Sequence, residues 1–148
     1  MGIEERPAIV ETNTQLGHWE GDTVIGADHD GVLLTLVERV TKYTLIVKLP
    51  SKQAVFLATH LRMSRKLKVS IYFARPYHSC GPPLRERALN ENTNGLIREY
   101  IPKGCRISSV RPKDVHWVEH QLNHRPRKTV GFLSPIQFAL KHGIALQT

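Results

Sequence analysis

HWEGDTVIGADHDGVLLTLVERVTKYTLIVKLP, residues 18–50, decides the fold. From His18 to Ile25 apolar and polar residues alternate, the period-two pattern of a strand with one buried face. GADHDG (26–31) is built of turn formers. VLLTLVE (32–38), rich in β-branched residues and leucine, reads as a second strand. RVTK makes a short turn, and YTLIVKLP is a third strand, stopped by Pro50 because proline has no N–H to give a ladder. Strands joined by connections this short form an antiparallel meander.

Downstream, Ser51 reads as the N-cap of a helix over KQAVFLATHLRMSRKL (52–67). VSIYFA (69–74) is a fourth strand, and RPYHSCGPPLRERAL (75–89) is a loop of Pro, Gly and charge. Asn90 is placed to cap a helix running to about Tyr100, which Pro102 and Gly104 stop. KDVHWVEHQLN (113–123) is a further helix. Ser134 and Pro135 start a short last one. The order βββ-α-β-α-α gives an α/β fold with a mixed sheet, one domain over 18–148 behind an extended lead-in over 1–17.

With Lys and Arg outnumbering Asp and Glu 21 to 13, the formal charge is +8, which favours an anionic partner, nucleic acid above all. Cys80 and Cys105 stand apart without CxxC spacing, which excludes a disulfide framework or a thiolate zinc site and suits a reducing cytoplasm. MGIEERPAIVE has no apolar centre and is not a signal peptide. No apolar run approaches the roughly 20 residues of a membrane span. These features predict a soluble chain of the cytoplasm.

Asp22, on the first strand, and Glu91, early in the helix after Asn90, are the carboxylates best placed for metal-assisted chemistry on phosphates, which needs convergent carboxylate oxygens. Their spacing alone fits structural or surface roles equally well. The basic loop HRPRK (124–128), with Arg125, Arg127 and Lys128, could touch phosphates or simply be solvated. Lys103, Arg106, Arg111 and Lys113 form a sparser basic segment. His116, His120 and His124 recur every four residues, and a polar helix face accounts for them better than a zinc site, since nothing completes the coordination. Trp19 is expected beside the sheet and Trp117 in the core.

HWEGDTVIG, LLTLVERVTKYTLIVKLPSKQA, YFARPYHS, NENTNGLIREYIPKG and LNHRPRKTVGFLSPIQF, in this order over most of residues 3–140, resemble the catalytic part of bacterial insertion-sequence transposases of the IS-thirty family. The resemblance implies an RNase H-like integrase core, with DNA as partner and Mg2+ (or Mn2+) as cofactor. It also implies a DDE triad, in which Asp22 matches the first aspartate and Glu91 the glutamate. Asn94 matches a polar position one helical turn further on. A second copy or an intact transposase is the implied protein partner, in a bacterial cytoplasm.

The departures from the family pattern are as specific. Relatives carry the middle aspartate in a strand-ending TxDNG segment between the long helix and the YFA strand. Here LRMSRKLK (61–68) runs almost directly into VSIYFA, and no aspartate occurs between Asp30 and Asp114. The SWERG loop before the glutamate is replaced by SCGPPLRERAL. Asp28, Asp30 and Glu86 are badly placed to substitute, since active geometry tolerates only about half an ångström of error, and His60 and His78 are neutral nitrogen ligands that match magnesium poorly. The resemblance therefore implies a truncated or internally deleted copy: a mixed sheet of three antiparallel strands plus one parallel strand with flanking helices, lacking the usual middle strand and helix. Its metal would be held weakly at Asp22 and Glu91, and VSIYFA would move inward to pair in parallel with residues 19–25. The rival reading is a non-catalytic DNA-binding fragment that competes with an intact enzyme.

Overall fold

The structure is a computed structural model and describes residues 7–51, 70–73 and 88–142. The helix expected over 52–67 and most of the loop over 75–89, with His60, His78, Cys80 and Glu86, lie outside the described residues. Strands β1 (His18–Ile25), β2 (Val32–Glu38), β3 (Thr44–Leu49) and β4 (Ser70–Phe73) form one sheet in the order β3-β2-β1-β4. β1 and β2 pair antiparallel with Asp22 opposite Thr35, and β2 and β3 antiparallel with Thr35 opposite Ile46. β4 pairs in parallel with β1, Trp19 opposite Ile71 and Gly21 opposite Phe73, so the described part of VSIYFA, Ser70–Phe73, does occupy the place beside the first strand. β1 is therefore paired on both sides, where an unpaired edge would leave buried amides unsatisfied.

Gly21 lets the Phe73 ring lie across β1. A Cβ there would stand 2.3 Å from the Phe73 ring, so the ring can lie across β1 only because the residue has no side chain.

The helices are α1 (Ala8–Glu11), α2 (Ala88–Tyr100), α3 (Pro112–His124) and α4 (Pro135–Lys141). α1 corrects the expectation of an extended lead-in: it is one helical turn, and its Val10 is buried with Tyr72 of β4. Ala88 and Leu89 are already helical, so Asn90 is inside α2 and buried rather than a cap. Ser134 caps α4 as expected, in a reciprocal box with Gln137. The main core joins Val24, Leu33 and Ile46 of the sheet to Ile97 and Ile101 at α2 and to Val115, Val118 and Leu122 of α3. Trp19 is buried in a second cluster with Leu34, Leu36 and Ile71. Trp117 is not in the core: it is 53% exposed and meets Tyr100 edge-on. Among the described residues no helix is long and apolar enough to cross a membrane.

Two buried polar devices hold the meander. Glu38, at the end of β2, accepts from the backbone N–H groups of Gly17, Val40 and Thr41 and from the Thr41 hydroxyl, closing the turn into β3. On the outer side of β3, α3 supplies the partners that a further strand would give. Asn123 accepts from Thr44 N–H at 2.8 Å and donates to its carbonyl at 2.7 Å, while Glu119 accepts from Ile46 N–H at 2.6 Å.

Burial pushes the Glu119 carboxyl above its ordinary range, opposed by the Ile46 hydrogen bond and by His116. The stability this acid contributes is thus present below the ordinary carboxylate value and is lost as pH rises through the raised one. Glu119→Gln keeps an acceptor for Ile46 without the buried charge. It should be more stable than the parent at pH 7, with the gap closing towards pH 4. Urea melts at the two pH values check this, and a variant less stable at both would contradict it.

Candidate functional site

Asp22 lies on the half of β1 that leads into the 26–31 turn, and its side chain is half-buried. One carboxylate oxygen accepts from the Thr23 N–H at 2.8 Å, and the other accepts from Asn94 Nδ2 at 2.7 Å. Thr35, across the ladder, donates its hydroxyl to the Asp22 carbonyl at 3.2 Å. Asn94 is on α2, and one turn later Arg98 donates to the carbonyl of Ile25 at 2.7 Å. These two contacts lay α2 along the end of β1 and hold the Asp22 carboxylate in one orientation.

Glu91 precedes Asn94 by three residues, so it shares that side of the helix. It is exposed. The surviving motifs HWEGDTVIG and NENTNGLIREY thus meet through the Asp22–Asn94 hydrogen bond. Asn94 Oδ1 is buried without a hydrogen-bond partner, as are both amide atoms of Asn90 one turn earlier. Among the described residues three or more His, Cys, Asp or Glu side chains come together nowhere. This includes His116, His120 and His124, which are exposed along α3.

The basic residues divide. Arg125, Arg127 and Lys128 line one groove, which they share with Lys42 of the β2–β3 turn and with the first half of α2. Lys103 is exposed beyond the end of α2, and Arg106 is in an exposed ion pair with Asp28 at 2.9 Å, so neither belongs to that groove. Sequence reasoning missed Lys42, because one cation in a polar turn looks like any solvated turn residue. It also missed the Asn94–Asp22 contact, because nothing in the order of residues ties two polar positions 72 apart.

The fold class is that of an RNase H-like integrase catalytic core. The catalytic core domain of BIV integrase superposes with a TM-score of 0.53 at 10% identity, covering 85% of this chain and 95% of that one. No family model matches the chain. Individual relatives do. The transposase for insertion sequence element IS4351 of Bacteroides fragilis is 40% identical over 161 residues, covering 91% of this chain and 48% of the relative. Transposase InsI for insertion sequence element IS30A of Escherichia coli (strain K12) is 34% identical over 171 residues, with 97% and 43% covered. The transposase for IS1086 of Cupriavidus metallidurans is 31% identical, with 93% and 47% covered. This chain is a homologue of the IS-thirty-family insertion-sequence transposases over most of its own residues.

The chain spans about half the length of these curated relatives. The first two alignments, over 161 and 171 residues, are longer than the 148 residues of the chain, so the relatives hold residues inside the aligned region that have no counterpart here.

Proposed function

We propose that the chain is the catalytic segment of an insertion-sequence transposase, a domain for cutting and joining DNA strands, in which loss of the middle aspartate leaves DNA binding and removes most of the cleavage. The observation that carries this reading is the Asp22–Asn94 contact, which joins the first-aspartate motif to the glutamate motif at one end of the sheet.

A two-ion centre does not fit the described residues. Such a centre needs a carboxylate shared between ions and others holding each separately, and no cluster of that kind forms among them. Asp22 and Glu91 supply two carboxylates, enough for one weakly held Mg2+ or Mn2+ and short of the shared clamp. The part left to the chain is positional. The Thr23 N–H and the Asn94 amide fix the Asp22 carboxylate, and Glu91, one turn before Asn94 on α2, is an exposed second carboxylate.

DNA is the partner this reading gives, held through phosphates with little preference for sequence. Fluorescence anisotropy with duplex DNA across a salt series should show affinity falling as salt rises; affinity unchanged by salt would overturn it. Supercoiled DNA incubated with Mg2+ or Mn2+ should be nicked no faster by the chain than by its Asp22→Ala variant. Clear nicking abolished by that substitution would show that another residue has taken the aspartate's place.

A further inference from the structure

We propose that the groove between the β2–β3 turn, α2 and the loop after α3 is a phosphate-binding site for a nucleic-acid strand, separate from Asp22 and on the other flank of α2. The choice of nucleic acid as the source of the phosphate rests on the function proposed above; the groove itself rests on its own geometry.

At 3.6 residues per turn, Leu89, Asn92 and Leu96 share one side of α2, while Glu91, Asn94 and Arg98 share the opposite one. Asn94 and Arg98 reach β1. Leu89, Asn92 and Leu96 instead line a groove of about 510 Å³ whose far walls carry Lys42 and the loop Arg125–Thr129.

The charge in this groove is lopsided. Its one acid, Glu20, is buried and paired with Arg39, and Arg125 is paired with Glu99 at 2.9 Å. Lys42, Arg127 and Lys128 have no ion-pair partner among the described residues. The Lys42 ammonium donates to the Arg39 carbonyl, and Arg127 reaches the Leu122 carbonyl at 3.4 Å. Arg127 Nε is buried with no hydrogen-bond acceptor among the described residues.

Burial lowers the Lys42 pKa, assisted by Arg39 and Arg127 and opposed by Glu38, and burial lowers the Arg127 pKa, assisted by Arg125. Half-buried like charges facing one another are a standing cost, and an anion seated between them would relieve it. A phosphodiester fits that need: its oxygens accept from a guanidinium fork and an ammonium. Its sugar has the apolar side chains of Leu89 and Leu96 to lie against, and Asn92 supplies a neutral donor and acceptor.

The test uses Lys42→Gln in the full chain. Lys42 has a left-handed backbone (φ +64°) that glutamine adopts as readily as lysine, so the turn is preserved. With duplex DNA, the plot of log K against log salt should become shallower by about one for Lys42→Gln and again for Lys128→Gln, the loss of one phosphate contact each. Lys42→Arg should restore the parent slope. In a second arm free of DNA, pyrophosphate should raise the melting temperature of the parent over a chloride control of equal ionic strength and should not raise that of Lys42→Gln. Shifts from pyrophosphate without DNA binding would keep the phosphate site and overturn the nucleic-acid source. An unchanged salt slope in both glutamine variants, or equal pyrophosphate shifts in parent and Lys42→Gln, would overturn the groove.

Discussion

Reinsertion of a relative's aspartate-bearing segment between Lys68 and Val69 is expected to raise Mg2+-dependent nicking of supercoiled DNA at least about a hundredfold, since one electrostatic group at a reacting centre is commonly worth that much. The same segment with its aspartate changed to asparagine should leave nicking at the starting level, as should Asp22→Ala in the restored chain. Restoration also has a structural signature. β4 now holds the place beside β1, with Trp19 opposite Ile71. A new strand carrying the aspartate would take that place and displace Ser70–Phe73 one position outward. Hydrogen-exchange protection at residues 70–73 should then come from a different neighbour, and the amide contacts between residues 18–21 and 70–73 should be lost. A restored chain that shows this displacement and still fails to nick would mean that the Asp22 end of the sheet has lost more than one carboxylate.

Glu38→Ala is expected to cost about 3 kcal/mol of stability, because one buried carboxylate serves three backbone N–H groups and a hydroxyl, and a buried donor left unmade costs about 1–3 kcal/mol. Glu38 is 2% exposed, so water cannot readily take its place. For a domain with about 5–15 kcal/mol in hand, that is a drop of roughly 10 °C in melting temperature. Glu38→Gln should fall between parent and alanine, since its amide nitrogen faces donors that want an acceptor. Calorimetry or urea melts at neutral pH check the order. An alanine variant within about 0.5 kcal/mol of the parent, the range of ordinary surface changes, would show that the turn closes without this carboxylate.

The strands were the most legible part of the sequence. β1 and β2 begin and end where alternation and β-branched runs say, and β4 lies where an unpaired β1 edge would demand a partner. Such patterns are local, and the sheet confirms them one strand at a time. The start of α2 was less legible. Asn90 is a strong capping residue, but Ala88 and Leu89 before it are good helix formers and are already helical. Trp117 was misjudged for another reason: helical spacing does not say which face an aromatic takes when the helix also carries three histidines and an edge-on tyrosine nearby. At the candidate site both acidic motifs could be named from the sequence. The resemblance implies that they converge; the particular bond that joins them, from the Asn94 amide to Asp22 across 72 positions, was not legible.

The clamp of α3 on β3 also governs how this protein can meet other chains. Sheet growth by strand addition needs a row of free N–H and C=O groups as a template. On the outer side of β3 the Thr44 N–H, the Thr44 C=O and the Ile46 N–H are already bound to Asn123 and Glu119. An incoming strand would have to peel α3 from the core, uncovering Val115, Val118 and Leu122. The Thr44–Ile46 half of the β3 flank is therefore closed to edge-to-edge pairing by another chain.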